Sequence, residues 1–184
     1  EQANRLLLDF RDRFPDHALT ASVAAILVKN YEQLELWQKA AAELDAIAAG
    51  QPPGERERQA LYLSASYHDR SGAAELAIPR YQTYVDRWPE PFDTQLEAMN
   101  RLAQLYQQTG LSRQRLYWLA KVTAAHDQAG AEQSERSLYL AALSASTLAD
   151  YEYDRFTALK LGYPIKASLG RKRAGSGSIL TLTR

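Results

Sequence analysis

The 184-residue chain is 46% hydrophobic and has no cysteine, which excludes disulfides and thiolate metal sites; its 22 basic and 22 acidic residues cancel. No run approaches the 18 or so apolar residues needed to cross a bilayer, so membrane insertion is not expected. The neutrality hides an asymmetry: residues 1–154 hold 15 Lys and Arg against all 22 Asp and Glu, whereas 155–184 hold seven basic residues and no acid.

Ala, Leu, Gln, Glu and Arg dominate the composition and favour helix. The chain opens as a helix already under way, and residues 1–16 are expected to be the end of a preceding repeat helix. That helix closes at Asp12-Arg13-Phe14-Pro15, and the same ending recurs at Asp86-Arg87-Trp88-Pro89 and Leu161-Gly162-Tyr163-Pro164. Each copy has an apolar residue four positions before the aromatic (Phe10, Tyr84, Leu159), the pattern of a packed last turn that Pro cannot continue. The aromatic positions lie 74 and 75 residues apart, and halving that spacing gives one helical hairpin per 37 residues or so.

Residues 17–51 form the first expected hairpin. Leu19, Val23, Ile26 and Leu27 make one apolar face, and Leu34, Trp37, Ala41, Leu44 and Ile47 the next. Gly50-Gln51-Pro52-Pro53-Gly54 breaks the chain. In residues 52–89, Ala60, Leu63, Ser64 and Tyr67 face one way, with Gly72 as the helix end, and Ala77, Ile78, Tyr81, Tyr84, Val85 and Trp88 line the second helix. Pro79 requires that helix to start near Glu75, where first-turn amides have no partner to lose, or to kink. Residues 90–129 continue with Asp93 as N-cap, then Met99, Leu102, Ala103, Leu105 and Tyr106, Gly110 as stop and Ser112 as the next cap. Leu116-Tyr117-Trp118-Leu119-Ala120 is apolar all round, as expected of a helix covered on both sides. Residues 130–164 are expected to hold a fourth hairpin, with Leu138, Ala141, Ala142, Ala145, Leu148 and Ala149 on its first helix and Phe156 and Leu159 on its second. Residues 165–184 read as a basic tail that opens like a further helix, then breaks into a flexible Gly-Ser stretch.

With these units in place, the chain resembles the tetratricopeptide repeat family. The resemblance rests on Leu63-Ser64, Tyr67, Gly72, Ala77-Ile78, Tyr81 and Trp88-Pro89 in the second unit, and on Leu102-Ala103, Tyr106 and Gly110 in the third. The first unit has no obvious turn glycine, with Tyr31-Glu32 at that place, and the fourth has Ala145 where Tyr is expected. The aromatic-Pro endings look most like bacterial cell-envelope members, which would favour periplasm or cell envelope over cytoplasm. The resemblance implies an all-α, right-handed superhelical solenoid of about four hairpins with a flexible C-terminal tail. Its groove would be lined by the first helix of each hairpin. Carried over relative to the Tyr, the groove positions are Arg58, Leu61, Ala65 and His68 in the second unit, Glu97, Asn100, Gln104 and Gln107 in the third, and Arg136 and Tyr139 in the fourth. Asn and Gln there can hydrogen-bond a peptide backbone without demanding a particular side chain. The set lacks the clustered basic residues that clamp a terminal carboxylate.

Nothing in the pattern suggests catalysis. His17, His68 and His126 are far apart in sequence, His68 reads as a partly exposed surface residue, and no phosphate loop or nucleophile elbow occurs. The expectation is a non-enzymatic interaction scaffold with no metal or cofactor, binding a protein or peptide as part of a larger assembly. Two alternatives stand beside it. The basic tail could bind nucleic acid or an anionic surface, although no aromatic interleaves its charges as single-strand binders require. The stack could also act as a spacer that dimerises through exposed ends.

Overall fold

The computed structural model describes residues 2–159, and every regular element among them is helical. In order these are α1 (Gln2–Arg13), α2 (Thr20–Gln33), α3 (Trp37–Gly50), α4 (Glu55–Arg70), α5 (Ala74–Arg87), α6 (Phe92–Gln108), α7 (Ser112–Gln128), a short 3-10 turn (Gly130–Glu132) and α8 (Glu135–Ala158). Each helix from α1 to α7 packs chiefly on its neighbours in the chain, which is consistent with a helical repeat array. Among the described residues the chain divides into two units, one running to Leu148 and the other beginning at Ala149. The expected Tyr163-Pro164 ending and the basic Gly-Ser tail lie outside the described residues.

One turn recurs between the helices of each hairpin. Leu36, Ala73 and Leu111 donate their backbone N–H groups to the carbonyls of Tyr31, His68 and Tyr106 at 2.8, 2.9 and 2.9 Å, each five residues back. The residue before each donor is left-handed: Glu35 at φ 54°, Gly72 at 79° and Gly110 at 73°. This is the helix C-cap geometry that favours glycine. The missing turn glycine of the first unit is therefore Glu35, not the Tyr31-Glu32 pair. The turns align Tyr31, His68 and Tyr106, and the buried positions follow in step. Val23, Ala60 and Ala98 are equivalent and buried, and Leu27, Ser64 and Leu102 are all fully enclosed.

Two apolar clusters result. One joins α1–α4 around Leu27, Tyr31, Ala41, Leu44 and Tyr67, with Trp37 packed against Tyr67 at a tilt of 52°, 5.4 Å between ring centres. The other joins α4–α8 around Tyr81, Tyr84, Leu96, Leu102, Trp118, Val122 and Leu140. Ser64 interrupts the apolar slot that Leu27 and Leu102 fill, and its hydroxyl donates to Asp45 on α3. The same carboxylate receives His68 Nε2 at 3.1 Å and Arg80 Nε at 2.6 Å, so one residue ties α3 to α4 and α5.

Several sequence expectations require correction. Residues 135–158 form one continuous helix, not the start of a two-helix hairpin, because no Gly or Pro interrupts Ser144 through Phe156. On it, Ser137, Leu140, Ala141 and Ser144 are buried, while Leu138, Ala142, Ala145 and Ala149 are exposed. Leu19 and Ile26 are exposed, and Leu34 lies in the turn before α3. Asp93 and Ser112 fall inside the first turns of α6 and α7; the cap positions are Pro91 and Leu111. Tyr117 is 54% exposed, so α7 is covered on only one side. Trp88, expected on the lining of the second helix, is only half-buried, against Tyr84 at 5.7 Å between ring centres. His68 is 3% exposed, a core residue. Helix α5 does begin late, at Ala74, but Pro79 is its sixth residue. Its missing N–H therefore removes a bond that the Glu75 carbonyl would have accepted.

The turn geometry sets the sign of three substitutions. Gly72→Ala and Gly110→Ala should each destabilise by about 1 kcal/mol, since a Cβ meets no atom within 4 Å and only the backbone conformation is strained. Glu35→Gly should stabilise by about 0.5 kcal/mol, the relieved strain less the added freedom of the unfolded chain. Urea midpoints at fixed m-value test all three; a loss on Glu35→Gly would contradict the turn assignment.

Asp45 makes stability depend on acid. Burial alone would raise its pKa, but hydrogen bonds from Arg80, Ser64 and His68 outweigh it and hold the carboxyl below its ordinary value. The unfolded chain then binds the proton more readily. The stabilisation is present above the ordinary carboxylate pKa of about 4 and is lost as pH falls towards the lower folded value. Thermal melts from pH 6 to 3 should show a shallower acid loss in Asp45→Asn than in the parent chain.

Candidate functional site

The turn register decides which face of α4 turns away from the core. Placing His68 level with Tyr106 makes Gln59, Tyr62, Ser66 and Asp69 the counterparts of Glu97, Asn100, Gln104 and Gln107. The groove positions expected on α4 are therefore displaced by one residue. Ala65 and His68 are buried, and Leu61 is half-buried against the core.

Two clefts lie between α4 and α6 and meet at Tyr62. The first, about 260 Å³, is lined by Tyr62, Ser66, Asp69 and Arg70 of α4, Tyr81 of α5, Glu97, Asn100 and Arg101 of α6, and Arg136 of α8. The second, also about 260 Å³, is lined by Gln59, Leu63, Tyr84, Pro91 and Thr94 together with Arg58 and Tyr62. Tyr62 packs against Tyr84 at 5.1 Å and Tyr81 at 5.9 Å, ring centre to ring centre, which fixes it as the wall between them.

The first cleft is a charge-paired surface. Arg101 Nε donates to Asp69 at 2.8 Å across the two helices, its Nη2 reaches the same carboxylate, and its Nη1 donates to Gln104. The Asp69 side chain is only 6% exposed while that of Arg101 is 41% exposed, so a nearly enclosed carboxylate is held by a guanidinium that still reaches solvent. Burial tends to lower the Arg101 pKa, but the bonded Asp69 carboxylate outweighs it and raises the value. Arg136 Nε donates to Glu97 at 2.9 Å and its guanidinium lies over Tyr139 at 5.7 Å. Asn100 is 8% exposed and its side-chain amide has no hydrogen-bond partner among the described residues. Burial, with the neighbouring Glu97 carboxylate, pushes the Tyr62 phenol up to about 12. Burial, with Asp69 second, raises Tyr81 as well.

Of the positions expected in the groove, Arg58, Glu97, Asn100 and Arg136 line these clefts. Gln104 serves as the partner of Arg101, and Gln107 is exposed at the end of α6. Tyr139 is exposed beside Arg136. Arg58 is committed to structure: it pairs with Glu55, donates to the Glu90 carbonyl at 3.0 Å and reaches the Tyr84 hydroxyl at 3.5 Å. Tyr62, Ser66, Asp69 and Arg101 were missed. The spacing of Gly72 to Gly110, 38 residues, carried the correct register, whereas the 39 from Tyr67 to Tyr106 did not. Among the described residues no group of His, Asp and Glu could hold a metal ion. His126 is buried, with Nδ1 3.1 Å from Ser137 Oγ, and links α7 to α8. Compared with known protein families, curated proteins and solved structures, the chain matches none.

The raised phenols predict an alkaline limit. A phenol whose folded pKa lies above its free value of about 10 favours the folded state below pH 10 and loses that contribution as pH rises towards the folded value. Unfolding midpoints between pH 9 and 12 should therefore fall less steeply in Tyr62→Phe than in the parent chain.

Proposed function

We propose that the chain is a tetratricopeptide-like scaffold that binds an extended peptide segment of a partner protein, without catalysis, within a larger assembly. The observation that carries this reading is the cleft between α4 and α6. Hydrogen-bonding side chains stand there at one-turn intervals on both helices, beside an apolar recess, and the Asn100 amide is uncommitted. A primary amide donates to a peptide carbonyl and accepts from a peptide N–H, so Asn100 suits a backbone read without regard to side chain. The walls need little rearrangement on binding, because aromatic packing around Tyr62 and the Asp69–Arg101 pair hold them in place. Specificity would then come from the two clefts, one taking an apolar side chain and the other a polar one. Repeat arrays present such surfaces because each unit adds one helix to a shared face.

Selection from a random peptide display library tests the reading. Peptides should be enriched on the parent chain, and their affinity should fall at least about tenfold on Asn100→Ala and on the cleft-filling Ser66→Lys, with far-ultraviolet dichroism unchanged. No enrichment, or enrichment indifferent to both variants, would remove the groove as the binding surface.

A further inference from the structure

We infer that the occupant of this groove is an acidic peptide, with an apolar residue in the recess beside Tyr84 and a side-chain carboxylate on Arg136 two residues away; this rests on the peptide-binding reading above. Charge complementarity comes first. Arginines outnumber acids three to two in the polar cleft, and both acids already have arginine partners on other helices. Asp69 is nearly enclosed, and Arg101 spends Nε, Nη1 and Nη2 on Asp69 and Gln104. Glu97 is 37% exposed with only Oε1 bonded to Arg136, so a basic ligand residue would have to share a carboxylate already held, whereas an acidic one meets guanidinium N–H groups that have no partner among the described residues.

Arg136 is the open donor. Only its Nε is bonded, to Glu97; Nη1 and Nη2 have no hydrogen-bond partner among the described residues, and the side chain is 53% exposed. The Glu97 bond and the Tyr139 ring beneath the guanidinium restrict its rotation, leaving the outer edge directed away from both. That edge offers two parallel N–H groups of the kind that grip a carboxylate bidentately. Asn100, on the adjoining wall, is placed to take the peptide bond beside the carboxylate-bearing residue.

The spacing follows from the helices. On α6 the recess is lined by Thr94 and the polar cleft by Glu97 to Arg101; on α4 the recess is lined by Gln59 and Leu63 and the polar cleft by Ser66 and Asp69. The offset is about five residues on α6 and about six on α4, or about 8–10 Å at 1.5 Å per residue, which a two-residue step meets when the long Glu side chain leans along the groove. Side chains on one face of an extended chain recur every two residues, at about 6.6 Å. Leu63, Tyr84 and Pro91 give the recess its apolar lining, which suits Leu or Phe.

The experiment uses fluorescein-labelled, C-terminally amidated peptides of Gly and Ser carrying one Leu and, two positions on, one Glu. Companion peptides carry Gln for Glu, place Leu and Glu adjacent, or replace the Glu side chain by a free C-terminal carboxylate. Anisotropy titration should show about tenfold tighter binding of the Glu peptide than of the Gln peptide. The preference should shrink in about 0.5 M NaCl. Arg136→Gln, in the exposed first turn of α8, should equalise the two while its dichroism and melting stay unchanged, and Arg136→Lys should keep part of the preference. The adjacent and free-carboxylate peptides should bind no better than the Gln peptide. Equal affinities on the parent chain, no saturable binding of any peptide, a preference surviving in Arg136→Gln, or tighter binding of the free carboxylate would overturn the inference. Display-selected peptides that bind through Asn100 without enriched acids would sink it and leave the peptide-binding reading intact; failure of the display itself would remove both.

Discussion

The hairpins depend on a backbone constraint, a left-handed residue followed by an N–H that returns to a carbonyl five residues back. It satisfies helix-end carbonyls that would otherwise lack partners and reverses the chain at the same place in three hairpins. Because the turn pins the last residues of α2, α4 and α6, it also pins the rotation of each helix about its axis. Everything on those helices then has a determined direction: Leu27, Ser64 and Leu102 inward, Tyr62 and Asn100 towards the cleft. A slip of one residue would turn a helix by about 100° and exchange core for surface.

The one polar member of the enclosed series shows how the array tolerates local departures. Ser64 stands where the neighbouring hairpins have leucine, and a buried hydroxyl without a partner would be costly. Asp45 supplies the partner, and Arg80 and His68 supply the charge and hydrogen bonds that make the carboxylate bearable there. Apolar volume lost at this junction is thus replaced by a directional network joining three helices. Arginines tie α4 to its neighbours elsewhere as well: Arg58 reaches the loop before α6, Arg87 of α5 reaches back to Glu57, and Arg101 of α6 reaches Asp69. In the pairs with Glu57 and Asp69 the carboxylate is nearly enclosed and the guanidinium reaches solvent, and their effect is to hold neighbouring helices at a set distance.

Much of the architecture was legible from the chain itself. Apolar residues at helical spacing located the helices, and Gly72 and Gly110 marked two of the three turns where only glycine is free of strain. Glu35 escaped because a charged residue in a left-handed turn leaves no compositional trace. Residues 135–158 misled for the reverse reason: the repeat period called for a break, but the segment lacks any residue that would make one. The cleft lining was half legible. Glu97, Asn100 and Arg136 line the cleft between α4 and α6, while an aromatic used as the register mark put His68 at the surface when it belongs to the core.

By itself, then, the sequence determined that this protein is helical, roughly where each helix begins and ends, and that hairpins succeed one another at about 37 residues. Local physics suffices for that, since propensity, periodicity and chain breakers act within a few residues of one another. Only the tertiary structure decided the rotation of each helix, the pairing of Asp69 with Arg101 and of Glu97 with Arg136, and the meeting of two clefts at Tyr62. Those relations join residues about 30 to 40 positions apart. They depend on angles that a one-residue change in register reverses, and no local pattern records such angles.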